Sequence, residues 1–100
     1  MIPIDFNGLD SAVHGPIRLG VLTALQLDGP LDFTTLQRRL QVSHGALAPH
    51  LRKLESSRYI HCKKAFVGRR PRSTYRITKV GQTALKRYVD TMQRVIDALQ

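Results

Sequence analysis

The sequence has a single cysteine, Cys62, so no internal disulfide can form, and a lone thiol fits a reducing, cytoplasmic setting. No hydrophobic run is long enough to span a bilayer. The opening MIPIDFNGLD has neither the basic n-region nor the apolar h-region of a secretion signal. A cytoplasmic protein with no membrane attachment is therefore expected. The usual carriers of catalysis are missing too: the histidines and carboxylates form no nucleophile–base–orienter set, and no glycine loop would cradle phosphate, so an enzyme is not expected. Metal ligation lacks its spacing. His44 and His50 are six apart, wrong for a shared ion on one helix, and the adjacent His61 and Cys62 point to opposite faces of a strand. His14 has no partner at metal spacing and reads as a surface or capping residue. No metal or cofactor is expected.

Acidic residues are scarce, and their distribution matters more than their number. The formal charge is +9. Residues 52–79 hold Arg52, Lys53, Arg58, Lys63, Lys64, Arg69, Arg70, Arg72, Arg76 and Lys79 against Glu55 alone, whereas the rest of the chain balances six cations with six carboxylates. The whole excess lies in one contiguous region. A solvated charged face rarely concentrates like this; a polyanion partner, commonly nucleic acid, fits better.

What is present is helical punctuation. One hundred residues with 42% apolar content suit a single small domain whose modest core association would help. Ile4, Phe6 and Leu9 offer side chains for packing, as a short helix or an arm. Gly15-Pro16 opens a first helix over residues 14–28, with Ile17, Val21, Leu22 and Leu25 as its buried stripe and Asp28-Gly29-Pro30 as its stop. Leu31–Phe33 reads as a very short strand. Thr34 with Gln37 resembles a capping box for a second helix to about Gln41. Val42–Glu55 gives a third, with Ser43 as N-cap and Leu47, Leu51 and Leu54 as its stripe. On a helical wheel Gly45, Ala46, Pro49, Arg52 and Lys53 face away from the leucines. Residues 34–57 thus suit a helix-turn-helix or a plain helical hairpin, and spacing alone does not choose.

The next stretch chooses. Tyr59–Val67 and TYRIT (74–78) have strand character around Gly68-Arg69-Arg70-Pro71-Arg72-Ser73, a turn tipped with cations. A plain exposed β-turn rarely holds three arginines in so few residues, so residues 58–78 read as a basic wing. Arginine's planar fork grips phosphate and enters a narrow minor groove. Thr78 caps a last helix over residues 79–99. Leu85, Tyr88, Val89, Met92, Val95, Ile96 and Leu99 recur at heptad-like spacing, and its later part reads as a dimer seam.

The helix pair FTTLQRRLQVSHGALAPHLRKLE, the YI strand start, FVGRRPRSTYRIT and the VGQTAL helix opening resemble the winged-helix DNA-binding domains of MarR/ArsR-type transcriptional regulators across residues 14–90. The fold this implies is α+β, mainly α with a small β-hairpin: one winged helix-turn-helix domain over 1–100 with a C-terminal dimerisation helix. The resemblance also implies a homodimer on a pseudo-palindromic, double-stranded DNA operator. Reading of the major groove falls on Ser43, His44, Gly45, Ala46, Pro49, His50 and Lys53, and the wing contacts on Arg69, Arg70 and Arg72. No small-molecule effector is identifiable; one would need a pocket at the dimer seam. An interaction module that docks an acidic protein or RNA is the alternative.

Two residues depart from the family pattern. Pro49 stands where a small polar residue is usual; an interior proline removes a hydrogen bond and costs about 3 kcal/mol, so the helix is expected to tighten or bend near its start. Arg58 takes the place of a helix-ending glycine. A left-handed backbone there would cost roughly 1 kcal/mol, so the turn into the wing is expected to differ.

Overall fold

In the computed structural model, which describes residues 9–100, seven elements follow one another: α1 (Pro16–Asp28), β1 (Leu31–Asp32), α2 (Phe33–Leu40), α3 (His44–Ser56), β2 (Ile60–Val67), β3 (Arg70–Ile77) and α4 (Lys79–Ala98). Ile4 and Phe6 lie outside the described residues, while Leu9 is half-buried against the core. Proline occupies the first turn of α1, where its missing N–H is harmless. Gly29, at φ 78°, closes the helix by donating its N–H to the Leu25 carbonyl at 3.0 Å.

The second helix starts earlier than its capping-box signature predicts. Asp32, not Thr34, is the N-cap: its Oδ1 accepts the Thr35 N–H at 2.9 Å. A carboxylate outranks threonine as a cap and carries the negative charge a helix N-terminus favours. Asp32 also ends β1, so strand and helix abut and Phe33 belongs to the helix. Leu31 and Asp32 pair with Tyr75 and Thr74, giving a three-stranded antiparallel sheet in the order β1-β3-β2.

Two tight turns use the left-handed region without glycine. Gln41, at φ 55°, ends α2, and the Val42 N–H returns to the Gln37 carbonyl at 3.3 Å. Arg58, at φ 64°, ends α3, with its own N–H on the Glu55 carbonyl and the Tyr59 N–H on the Leu54 carbonyl at 3.0 Å. That is the Schellman arrangement glycine normally serves. The turn into the hairpin is therefore the ordinary one, and Arg58 bears the steric cost. Pro49 does not break α3, which runs continuously from His44 to Ser56.

The core gathers one stripe from every helix: Val21, Leu22 and Leu25 from α1, Leu36 from α2, Leu47, Leu51 and Leu54 from α3, and Leu85 and Tyr88 from α4, closed by Ile60 and Tyr75 of the sheet. Each such large apolar side chain contributes about 1.5–3 kcal/mol of transfer free energy. Thr78 joins hairpin to α4. Its hydroxyl accepts the Gly81 N–H at 3.0 Å and donates to the Arg58 carbonyl at 2.7 Å. Gly81 is buried at the same joint, where a Cβ would stand 2.1 Å from the Tyr59 carbonyl oxygen.

Candidate nucleic-acid interface

Ser43 caps α3 by accepting the Ala46 N–H at 3.2 Å, so its hydroxyl is engaged with backbone. With the leucines buried, the helix exposes His44, Gly45, Pro49, Arg52 and Lys53. The His44 ring packs on Phe33, with centroids 4.6 Å apart. Ala46 and His50 are half-buried on the flank of the helix far from the hairpin. Of the seven expected reading residues, five therefore present themselves fully and two only in part.

The hairpin corrects its sequence reading. The ladder runs from Ile60↔Ile77 to Val67↔Arg70, which leaves Gly68-Arg69 as the entire turn instead of residues 68–73. Gly68 supplies φ 65° at the first central position, as a type II′ hairpin requires. Pro71 fits inside β3 because β1 ends opposite Thr74, so no second neighbour needs its N–H. Of the wing arginines only Arg69 is in the turn, and Arg70 and Arg72 lie on the strand. Alternation then sorts the faces. Cys62, Lys64, Phe66, Pro71, Ser73 and Tyr75 share one face; His61, Lys63, Arg70, Arg72 and Arg76 share the other.

A groove of about 500 Å³ separates the hairpin from α3. His44, Ala48, Arg52 and Glu55 form its helical wall, Lys64, Pro71 and Arg72 its hairpin wall, and Asp32 and Thr34 its end. Arg52 and Lys64 were not among the expected site residues. Arg52 was legible on the wheel, but the approach of Lys64 to α3 depends on the hairpin's docking angle, which no local pattern encodes.

The arginines differ in freedom. Arg72 Nε lies 3.2 Å from Asp32 Oδ2 and ties the hairpin to the start of α2. The Asp32 carboxyl is held below its usual range, first by hydrogen bonds from Thr35 and then by the Arg72 and Arg38 charges. Among the described residues, neither Arg69 nor Arg70 has a carboxylate partner, and both are exposed.

On α4, Leu85 and Tyr88 belong to this chain's own core, and the Tyr88 hydroxyl lies 2.9 Å from His14 Nδ1. Both were expected in a dimer seam, but their burial removes them from any surface a partner meets. Met92 and Val95 are half-buried, and Val89, Ile96 and Leu99 are exposed at 50%, 42% and 83%. A further cleft of about 590 Å³ lies between Asp10, Tyr59 and the start of α4, including Lys79 and Arg87. Ligand-sized space thus exists within one chain, without a seam. Tyr59 donates its hydroxyl to Asp10, and chiefly for that reason its pKa is pushed up to about 12. The described residues contain no cluster of metal-ligating side chains, and none of their helices is long and apolar enough to cross a membrane.

The profile of a family described as "Winged helix DNA-binding domain" matches residues 17–96. An uncharacterised protein of Methanocaldococcus jannaschii is 30% identical over 73 residues, which covers 73% of this chain and 79% of that one. The structure of a transcriptional regulator homologue from Pyrococcus horikoshii superposes with a TM-score of 0.84 at 30% identity, covering 93% of each chain. A regulator described as of the MarR family, from Enterococcus faecalis, superposes at 0.70 with 23% identity, over 89% of this chain and 79% of its own, and shares the fold.

Proposed function

This chain belongs to the winged helix DNA-binding domain family, and from that premise we propose that it works as a homodimer that selects a pseudo-palindromic DNA operator. Its fold is shared with a transcriptional regulator homologue and with a regulator described as of the MarR family. The observation that carries the finer reading is the shared groove: Arg52 of α3 and Lys64 and Arg72 of the hairpin border one space, beside the exposed, small-residue surface at Gly45 and Pro49. A helix with so little bulk at its start can approach base edges closely, and the cations around it meet the phosphates that flank a major groove.

In this reading Lys53, Arg52 and the wing residues Arg69 and Arg70 neutralise phosphates and release counterions, which supplies sequence-independent affinity, while Arg72 is a wing contact weakened by its pairing with Asp32. Ser43, His44, Gly45, Ala46, Pro49 and His50 sit nearest the bases and tune choice of sequence. Val89, Met92, Val95, Ile96 and Leu99 of two chains form the seam. Two-fold symmetry then sets half-sites about 34 Å apart.

Selection of bound duplexes from a random pool at physiological salt tests this. A palindrome with half-sites one helical turn apart is expected. Enrichment of a lone half-site would overturn the dimer, no enrichment would overturn specificity, and equal retention of an RNA duplex would favour an interaction module instead.

A further inference from the structure

We propose that Phe66 is an apolar wedge that enters the minor groove of the bound duplex and opens a flexible base step; this rests on the DNA-binding reading above and adds a residue to it. Phe66 is 74% exposed. Among the described residues it is the one phenylalanine or tyrosine in the open, since Phe33 and Tyr59 are half-buried and Tyr75 and Tyr88 are buried. It shares its face of the hairpin with Lys64, which lines the groove beside α3, and it stands two residues further out, roughly 7 Å along the strand. The ring therefore sits beyond the groove on the side that meets a duplex when α3 does.

Its partner across the ladder is Pro71, whose ring fixes φ, and with no β1 alongside the hairpin end stands clear of the rest of the sheet. The surroundings are cationic: Lys64 on the same face, Arg69 in the turn, Arg70 next to it on the opposite face of β3, and no carboxylate anywhere in sequence between Glu55 and Asp90. An apolar ring set among unpaired cations complements a slot with apolar walls and anionic rims. The minor groove is such a slot, with deoxyribose walls and phosphate edges, and apolar side chains that enter it partly unstack a step and kink the helix. Pyrimidine–purine steps yield most easily, so the wedge favours sequences rich in TA. An anionic membrane surface also offers apolar and negative groups, but it has nothing for the α3 groove on the same face.

The chain contains no tryptophan, so Phe66→Trp places the single tryptophan on the wedge, excited apart from the tyrosines at long wavelength. Alternating TA duplex is expected to shift its emission and shield it from iodide, alternating GC duplex less so, and phosphatidylserine vesicles not at all. Phe66→Ala is expected to bind the TA duplex about tenfold more weakly with the salt slope unchanged, because no charge is lost. Phe66→Leu, still apolar, keeps most of the affinity. A tryptophan that stays accessible on bound DNA, an alanine variant with parental affinity, or a leucine variant as weak as alanine would overturn the wedge while leaving DNA binding intact. A response to vesicles in place of duplex would overturn it in favour of a lipid surface. Failure of the parent to bind either duplex would overturn both readings.

Discussion

Between Arg52 and Lys79 the chain sets ten cations against one carboxylate, whereas between Val89 and Leu99 it sets Arg94 against Asp90 and Asp97 and exposes Val89, Ile96 and Leu99. Both stretches are poorly covered by the rest of the molecule, yet they are built from opposite materials. Unneutralised charge gains most from a polyanion, through counterion release, and gains nothing from a second copy of itself. Exposed aliphatic side chains amid near-balanced charge gain most from apolar surface, and a copy of the same helix supplies it. The two surfaces are therefore expected to fail independently when each is damaged, as long as the joint between them holds.

That joint is where the largest effect is expected. Gly81→Ala would drive a methyl group into the Tyr59 carbonyl, and backbone cannot yield as a flexible side chain does. Denaturant unfolding should show a loss of about 3 kcal/mol. Both functions should decline together, which is the signature of a broken joint as opposed to a damaged surface.

The α4 surface comes next. Val89→Ser, Ile96→Ser and Leu99→Ser together remove roughly 3 kcal/mol of apolar burial from a paired seam, about a hundredfold in the dimer dissociation constant by sedimentation. The salt slope for a single half-site should not move. Smaller still is the effect of Arg69→Ala with Arg70→Ala. Each arginine lost from a phosphate lowers the salt slope by about 0.9, so the pair should flatten it by roughly 2 and weaken all duplexes alike. Sedimentation should be unaffected. A wing variant that dissociates the dimer, or an α4 variant that changes the slope, would dissolve the separation between the surfaces.

How much of this was legible in the sequence depends on how local each determinant is. Helix α3 was readable because Ser43 and the leucine stripe act within one element, and Thr78 announced α4 for the same reason. The cap of α2 was misread because Thr34-Gln37 carries a good local signature, while Asp32, two residues earlier, also ends a strand that exists only by pairing with β3. Pro71 and Ser73 suggested a long turn; the ladder extends through them because β1 stops short and leaves that edge free. Arg72 looked equivalent to Arg69 and Arg70 until its Asp32 partner, forty positions away in sequence, was visible. The apolar repeat of α4 likewise does not state where intrachain packing ends: Tyr88 is its last buried apolar residue, Thr91 is still buried, and Met92 is only half-buried against the core.

Asp32 is where stability and charge meet, and its effect is the smallest of the four. Its carboxylate caps α2 and holds Arg72. Because its folded pKa lies below the ordinary 3.8, the stabilisation is present above that value and disappears as pH falls through the lowered one. Asp32→Ala should cost about 1 kcal/mol at neutral pH through loss of the cap. Asp32→Asn keeps a competent cap but loses the charge, so its deficit against the parent should be present at neutral pH and vanish in acid. The same variant frees Arg72 and adds one net positive charge to the hairpin wall. Its DNA salt slope is therefore expected to steepen by up to about 0.9, with slightly tighter binding at low salt. An unchanged slope would mean that Arg72 serves the fold alone, and would narrow the cationic surface to residues without a carboxylate partner.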